Sequence, residues 1–521
     1  MTLFEKNAFV YATIVAMGGF VFGLDAALIS GTVKFISQEF NLNDAQLGMV
    51  VGAPALGVLL ALFFAGYVCN KYGRRKTLQF VALLYVVSAI CSALAPNYIS
   101  LLSARFLGGL AFTSLSLASM YIGEIAPPKL RGKLVTMIQI NIVVGLSGAY
   151  FINYLILQWS TSNAAWVTNW GLDQNIWRWM LGVEIIPAVI WLVLLFRVPK
   201  SPVWLFYSGL KEEARTVLLK LMPTTEVDAH LNNMDNSMAK SSKDRKVMSQ
   251  LKEIFSRRMG LITIIGFTLA IAQQTSGINA ILFYAPTVFE QIGIGTNAAF
   301  MQAIWTGLTA LVFTVLGLLV IDKIGRRPII IGGMIWVVLS LALAYYGFKT
   351  ATYTLTQEAI SELTEIENID RLNVMVDVQY GTDVELKRAL TETLGADEAR
   401  QYAGILIQKS AKINALLILV GILSFIAAFH FSIGPVMWVL FSEIFPISIR
   451  GVAIPFFTLI TSTTSWLIQL FFPMQLSTFG ISNTLLFYAA TVFIGLIILY
   501  RFLVETKGLS IEDIQLKLQK N

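Results

Sequence analysis

Cysteine and histidine are almost absent, with two of each in 521 residues. Cys69 and Cys91 lie in apolar stretches and read as small core residues, which excludes a disulfide framework. His230 falls in a polar central stretch and His430 in an apolar run. No Cys/His metal spacing and no nucleophile–base pair is legible, so neither an enzyme nor a metal or cofactor site is expected. His430 reads as a satisfied helix-interface residue. Charge is scarce as well: 13% of residues are charged and 56% hydrophobic, and mean hydropathy is +0.70. That balance excludes a water-soluble domain of this length and makes the bilayer the solvent. No basic region with a small-residue cleavage site precedes the first apolar stretch, which continues into a full span; no signal peptide is expected.

Apolar runs long enough to cross about 30 Å of hydrocarbon as helices occur near 8–30, 46–69, 77–95, 99–122, 134–157 and 178–197. A second set lies near 259–289, 298–321, 328–348, 412–441, 451–475 and 483–504. Twelve spans place both termini on one side. Lys and Arg concentrate in the connections on that side, at Lys71, Arg74, Arg75 and Lys76, at Lys129, Arg131 and Lys133, and at Lys323, Arg326 and Arg327. Both termini are therefore expected in the cytoplasm. The net charge of +7 follows from this asymmetry and implies no nucleic acid partner.

The chain is a duplicated unit. NKYGRR at Asn70–Arg75 returns as DKIGRR at Asp322–Arg327, and EIAPPKLRG at Glu124–Gly132 returns as EIFPISIRG at Glu443–Gly451. This gives an amino-terminal bundle over 1–197, a linker over 198–258, a carboxy-terminal bundle over 259–504 and a tail over 505–521. The linker holds eleven Lys or Arg and seven Asp or Glu, and reads as short cytoplasmic helices, with Val217, Leu218 and Leu221 forming one apolar face. Arg75 to Glu124 is 49 positions and Arg327 to Glu443 is 116, so the second half carries an insert near 349–411, with eleven Asp or Glu against six Lys or Arg. It is expected outside the cell as a small ordered cap. Ile360, Leu363, Ile366 and Ile369 have helical spacing, Leu372, Val374, Val376, Val378 and Tyr380 alternate like a strand, and Thr382 or Asp383 caps a helix through Leu386 and Leu390. Docking of an unassigned partner, dimer formation, substrate funnelling and tolerated loop growth all remain open for it.

In each GRR string the glycine permits a tight turn and two guanidiniums can meet carboxylates at neighbouring helix ends. Arg74, Arg75, Arg326 and Arg327 are thus expected to form a cytoplasmic gate with Glu124 and Glu443, each seven residues before Arg131 or Arg450. These ion pairs are expected to hold the halves together in one state and to part in another. Carboxamides donate and accept hydrogen bonds without charge, which suits them to an uncharged polar ligand. Gln139, Gln273, Gln274 and Asn279 are such groups in apolar spans, and Gly277 marks a place where a helix breaks easily. Asp25 lies mid-span, where an unpaired carboxylate costs on the order of 3 kcal/mol or more. A proton or a cation from another helix must neutralise it, and Arg105 is the corresponding intramembrane guanidinium.

The chain resembles the sugar porter family of the major facilitator superfamily. The residues that carry the likeness are GFVFGLDAALISG (Gly19–Gly31), NKYGRR, ARFLGGLAF (Ala104–Phe112), YIGEIAPPKLRG, QQTSGIN (Gln273–Asn279), DKIGRR, GPVMWVLFSEIFP (Gly434–Pro446) and VETKG (Val504–Gly508). The resemblance implies an all-α membrane protein of twelve transmembrane helices in two pseudo-symmetric six-helix bundles, embedded in the cell membrane. It implies proton-coupled uptake of a monosaccharide or similar polyol, with Asp25 and Arg105 as the coupling pair, Glu184 as a second acid, and Gln139, Gln273, Gln274, Asn279, Tyr284, Gly434 and Trp438 at the sugar. A passive uniporter and a non-transporting sensor are the rival readings. Several positions depart from the family pattern: Phe283 stands where a second tyrosine is usual, Ala310 where an asparagine faces the sugar, and Thr461 and Ser462 where an amide or aromatic is common. The site is expected to be less polar in the second half, or rebuilt from Thr309, Thr461 and Ser465. The PESPR box reads Pro199, Lys200, Ser201, Pro202, Val203, which is expected to leave that part of the gate unsupported.

Overall fold

Gly73 and Gly325, the glycines of the repeated GRR strings, have φ of +83° and +104°. An L side chain rarely adopts such a backbone, and in the computed structural model each turns the chain sharply from one long helix into the next. The structure describes residues 2–127, 130–240, 247–361, 369–509 and 513–514. Lys129 of the basic set and Leu363 and Ile366 of the insert lie outside them.

Among the described residues, twelve helices are long and apolar enough to cross a membrane. In chain order they are Leu3–Glu39, Asp44–Tyr72, Arg74–Ala93, Tyr98–Ile125, Arg131–Ser160, Ile176–Arg197, Arg257–Phe283, Thr296–Ile324, Arg326–Lys349, Ala415–Ile444, Ile449–Thr478 and Gly480–Phe502, called spans one to twelve below. With no hydrophobic drive between helices in lipid, close approach at small residues holds them together. A Cβ on Gly23 of span one would lie 1.9 Å from the Ile142 carbonyl oxygen of span five, and one on Gly109 of span four would lie 2.1 Å from the Pro54 oxygen of span two.

The halves meet unevenly. At the end away from the termini one apolar core runs through both, joining Leu28, Val33 and Tyr150 to Ile278, Phe289 and Phe472. Nearer the termini, Ala12, Tyr121, Leu134 and Trp191 form a core confined to the first half. Polar bonds follow the same division. Lys34 Nζ reaches Glu290 at 3.4 Å and Thr296 at 2.7 Å, Gln158 donates to Asn297 at 3.2 Å, and Ser477 donates to Asp44 at 2.5 Å, all at the far end. Deeper, Tyr150 donates to the Leu282 carbonyl at 2.6 Å. Among the described residues no hydrogen bond or ion pair joins the halves at the end bearing the termini. The molecule is thus closed at one rim and parted at the other.

The linker forms helices Pro202–Tyr207, Lys211–Leu218, Thr224–Lys240 and Val247–Ile254. Val217 and Leu221 lie against the core of the first half, as the apolar face predicts. The insert has a core of its own around Tyr353, Leu372, Leu386, Leu390 and Leu406, beneath a three-stranded antiparallel sheet ordered β2-β1-β3, with β1 Thr352–Thr354, β2 Gln379–Tyr380 and β3 Ala411–Lys412. Thr382 caps helix Asp383–Leu394, its hydroxyl accepting from the Glu385 amide, as expected. The long strand expected from Leu372 does not form. Ile369–Met375 is a 3-10 helix instead, burying Leu372 and Met375, and only Gln379–Tyr380 is extended. Lys387 ties the insert to Gln291 after span seven, at 3.0 Å.

Candidate functional site

Span seven is not one helix. It runs Gly260–Thr275, breaks where Gly277 takes φ +78°, resumes over Ile278–Phe283 and breaks again at Tyr284 before Ala285–Glu290. Any Cβ at Gly277 would meet the Tyr488 ring at 2.2 Å, so conformation and space both demand glycine. The breaks lie among the amides. Gln274 Nε2 donates to Gln273 Oε1 at 3.0 Å, Asn279 Nδ2 to Gln274 Oε1 at 2.8 Å and to Ser465 Oγ at 2.8 Å, and Gln273 Nε2 to the Gly434 carbonyl at 3.3 Å. Gly434 belongs to a second discontinuity. Span ten stops at Phe431, passes through Ser432 and restarts at Ile433; Pro435, which has no N–H, suits the first turn of the new helix. Trp438, one turn further, is 40% exposed, so its ring has an open face.

The remaining sugar-site candidates are arranged differently. Gln139 is half-buried on span five, eleven residues or about three turns before Tyr150, and so on the face that reaches the second half. Tyr284 is buried and its hydroxyl donates to the Gln469 carbonyl at 3.2 Å, so it is engaged by the backbone of span eleven. Thr461 donates to its own helix at the Phe457 carbonyl. His430 is only half satisfied. Its Nδ1 meets the Thr314 hydroxyl at 3.1 Å, while Nε2 is buried without a partner, against the expectation of a fully bonded interface residue.

Asp25, Arg105 and Glu184 come from spans one, four and six, and each is at most 3% exposed. Arg105 Nη1 bonds Asp25 Oδ1 directly. The Glu184 carboxyl is near enough to feel both charges, and Asp25 Oδ2 and Arg105 Nε are buried without a hydrogen-bond partner. Two buried acids thus lie near one buried guanidinium, which bonds one of them. The group is electrically neutral only when one additional proton resides on it.

The repeated strings form matching latches. Arg74 bonds Glu124 at 2.8 Å and Arg326 bonds Glu443 at 3.0 Å. Arg75 donates to the Phe196 carbonyl at 2.8 Å and Arg327 to that of Tyr500 at 3.1 Å, at the ends of spans six and twelve. A third correspondence emerges here, because Ser201 donates to Glu124 as Thr506 does to Glu443. Two expectations need correction. Each latch lies within one half rather than between halves, because the arginine opens a helix of the same bundle whose carboxylate it meets. Nor is the PKSPV segment unsupported: Ser201 completes the latch, and Lys200 pairs with Glu213 of the linker at 2.9 Å. In the second half the residue matching Lys200 is Glu505, which accepts from the amides of Arg326, Arg327, Thr506 and Lys507 at 2.8–3.0 Å. Burial alone would raise its pKa, but these four N–H groups hold it below the ordinary glutamate value. Arg131 lies outside the latches and is exposed; it is near His230, whose pKa is lowered first by burial and then by that guanidinium. Arg450 bonds the Phe445 carbonyl at 3.0 and 3.2 Å. Sequence reasoning missed Ser201, Thr506 and Glu505 in these roles, although aligning VPKS with LVET after spans six and twelve exposes them.

Comparison with known proteins converges on one group. The family model described as "Sugar (and other) transporter" matches residues 11–364 and 399–518, and the stretch it passes over falls in the insert. The chain is 30% identical over 500 residues to the arabinose-proton symporter of Bacillus subtilis, covering 96% of this chain and 92% of the relative. It is 31% identical over 552 residues to the D-xylose-proton symporter of Escherichia coli (strain K12), covering 99% and 96%. The inward open structure of the xylose transporter from E. coli matches with a TM-score of 0.73 and 27% identity, over 98% of this chain and 99% of that one.

Proposed function

The chain belongs to the sugar porter family of the major facilitator superfamily, a family of transporters and not of enzymes, and from that premise we propose that it carries a monosaccharide or similar polyol into the cell together with a proton. Both termini are cytoplasmic in this reading, which rests on the Lys and Arg of the connections. The closed rim is then the outer one and the parted rim faces the cytoplasm. Alternating access follows when the halves rock about the amides of the broken seventh span.

The observation that carries the reading is the buried group of Asp25, Arg105 and Glu184. With the additional proton absent, the group holds an excess negative charge in a dry site, and an uncompensated buried charge is strongly unfavourable. Protonating Asp25 breaks its pair with Arg105, leaves Glu184 as the one carboxylate near the guanidinium and loosens spans one and four, favouring the state that binds sugar from outside. Deprotonation on the cytoplasmic side restores the pair. Carboxamides at Gln139, Gln273, Gln274 and Asn279 exchange hydrogen bonds with sugar hydroxyls, and Trp438 offers an apolar face to the ring.

Uptake of a panel of labelled sugars into proteoliposomes, with and without an imposed pH gradient, tests this. Wild-type protein accumulates its sugar only with the gradient. In Asp25→Asn that accumulation is abolished while sugar counterflow persists. Gradient-driven accumulation by the variant overturns the coupling role; wild-type counterflow without proton movement marks a passive uniporter.

A further inference from the structure

Span eleven carries two polar residues one turn apart, Ser465 and Gln469, buried at 8% and 2% exposure. Ser465 Oγ receives two donors, Asn279 Nδ2 at 2.8 Å and Gln469 Nε2 at 2.8 Å. A hydroxyl has two lone pairs, so both are occupied. Asn279 spends its two hydrogens on Ser465 and on Gln274 Oε1. Gln274 Nε2 in turn donates to Gln273 Oε1, and Gln273 Nε2 to the Gly434 carbonyl. Each link dictates the orientation of the next: turning over one amide would set N–H against N–H, or oxygen against oxygen. The Gly434 carbonyl, which can only accept, sets the direction of this chain and Ser465 Oγ ends it, which leaves for a ligand Asn279 Oδ1 and one N–H each from Gln273 and Gln274.

We propose that Ser465 and Gln469 are positioning residues for sugar specificity: Ser465, braced by Gln469, holds the Asn279 amide at the end of this chain and so fixes where Asn279 Oδ1 and the free N–H groups of Gln274 and Gln273 lie, and hence which hydroxyl stereochemistry the site takes. This rests on the sugar-transport reading above and deepens it. A site committed to one pattern of donors and acceptors rejects a mismatched epimer strongly, because its buried groups are left unpaired. Gln469 also links the network to the closed rim, since its carbonyl accepts from Tyr284 and the next residue, Leu470, touches Gly48 of span two.

Sugar counterflow in proteoliposomes, measured for the preferred sugar and its epimers, tests the proposal. Ser465→Ala removes the double acceptor and lets Asn279 turn. It is expected to raise KM for the preferred sugar about tenfold and to cut the kcat/KM preference over the epimer about as much, with kcat nearly unchanged. Ser465→Thr keeps a hydroxyl and restores both values. Gln469→Ala shifts them in the same direction, and the double variant is no worse than Ser465→Ala, as one network requires. Unchanged discrimination in both Ser465→Ala and Gln469→Ala overturns the assignment, and so does a fall in kcat with KM and discrimination intact, which marks mere helix support. Size-exclusion profiles identify a misfolded variant, in which case Gln469→Leu decides by the same readouts. If the wild type moves no sugar in the panel, the transport reading falls and takes this one with it; a discriminating wild type matched by equally discriminating variants sinks this one alone.

Discussion

At the scale of single residues, what is legible in sequence is what chemistry makes expensive. Asp25 and Arg105 stand out because charge in an apolar run demands a partner, and the structure puts one on the other. Gly277 stands out beside the amides and takes the left-handed backbone that breaks span seven. Gln469 does not stand out, because a lone amide in a long apolar helix carries no hint of which neighbour it meets. Glu505 is a further case: nothing in VETKG says that its carboxylate gathers four backbone N–H groups. Its pKa is lower in the folded protein than in the unfolded chain. Its contribution to stability is therefore complete above the ordinary glutamate range of about 4.3 and is lost as pH falls through the depressed native value. Thermal unfolding in detergent should show Glu505→Ala less stable than wild type at neutral pH, with the gap closing as the buffer is taken well below pH 4.3. A gap independent of pH would assign the loss to packing.

At the scale of elements, the twelve spans were legible because length and hydropathy suffice for them, and the insert was legible only in part, in the helix that Thr382 caps, because elsewhere its periods conflict. Leu372, Val374 and Val376 alternate in sequence, yet Val374 is 81% exposed while Leu372 and Met375 are buried. Positions 369, 372 and 375 repeat every third residue, the period of a 3-10 helix, and the core of the insert selects that face. The repeated latches suggest an exchange between elements. Span nine has the Glu505 carboxylate over its first amides, whereas span three has Lys200 at the matching place, drawn off to Glu213. Lys200→Glu with Glu213→Gln should supply the missing acceptor and stabilise the first half by about 1 kcal/mol, as helix-start acceptors do. A raised unfolding midpoint in detergent is the expected result. An unchanged one would mean that Trp204, which crowds Gly73, already occupies the space.

At the scale of the molecule, the duplication was readable but the division of contacts between the two rims was not, because it depends on which state the halves adopt and not on what each is made of. The repeated arginines and glutamates suggested bonds between the bundles. The cross-bundle bonds are elsewhere, on Lys34, Gln158, Asp44 and Ser477, residues in no repeated string. If transport requires that rim to open, fastening it covalently stops the cycle. With Cys69 and Cys91 replaced by alanine, Asp44→Cys with Ser477→Cys should lose counterflow on oxidation and regain it on reduction. Persistent counterflow in the oxidised, cross-linked protein would show that the rim need not part.

The placement of the Arg74–Glu124 and Arg326–Glu443 pairs inside their own bundles has a mechanical consequence. Neither weld has to break for the halves to rock, so each bundle is expected to travel as a stiff panel that carries its motion from one rim to the other. Weakening a weld would leave the panel standing but let it flex, and the symptom would be slippage: protons leaking through without cargo, while the machine still turns.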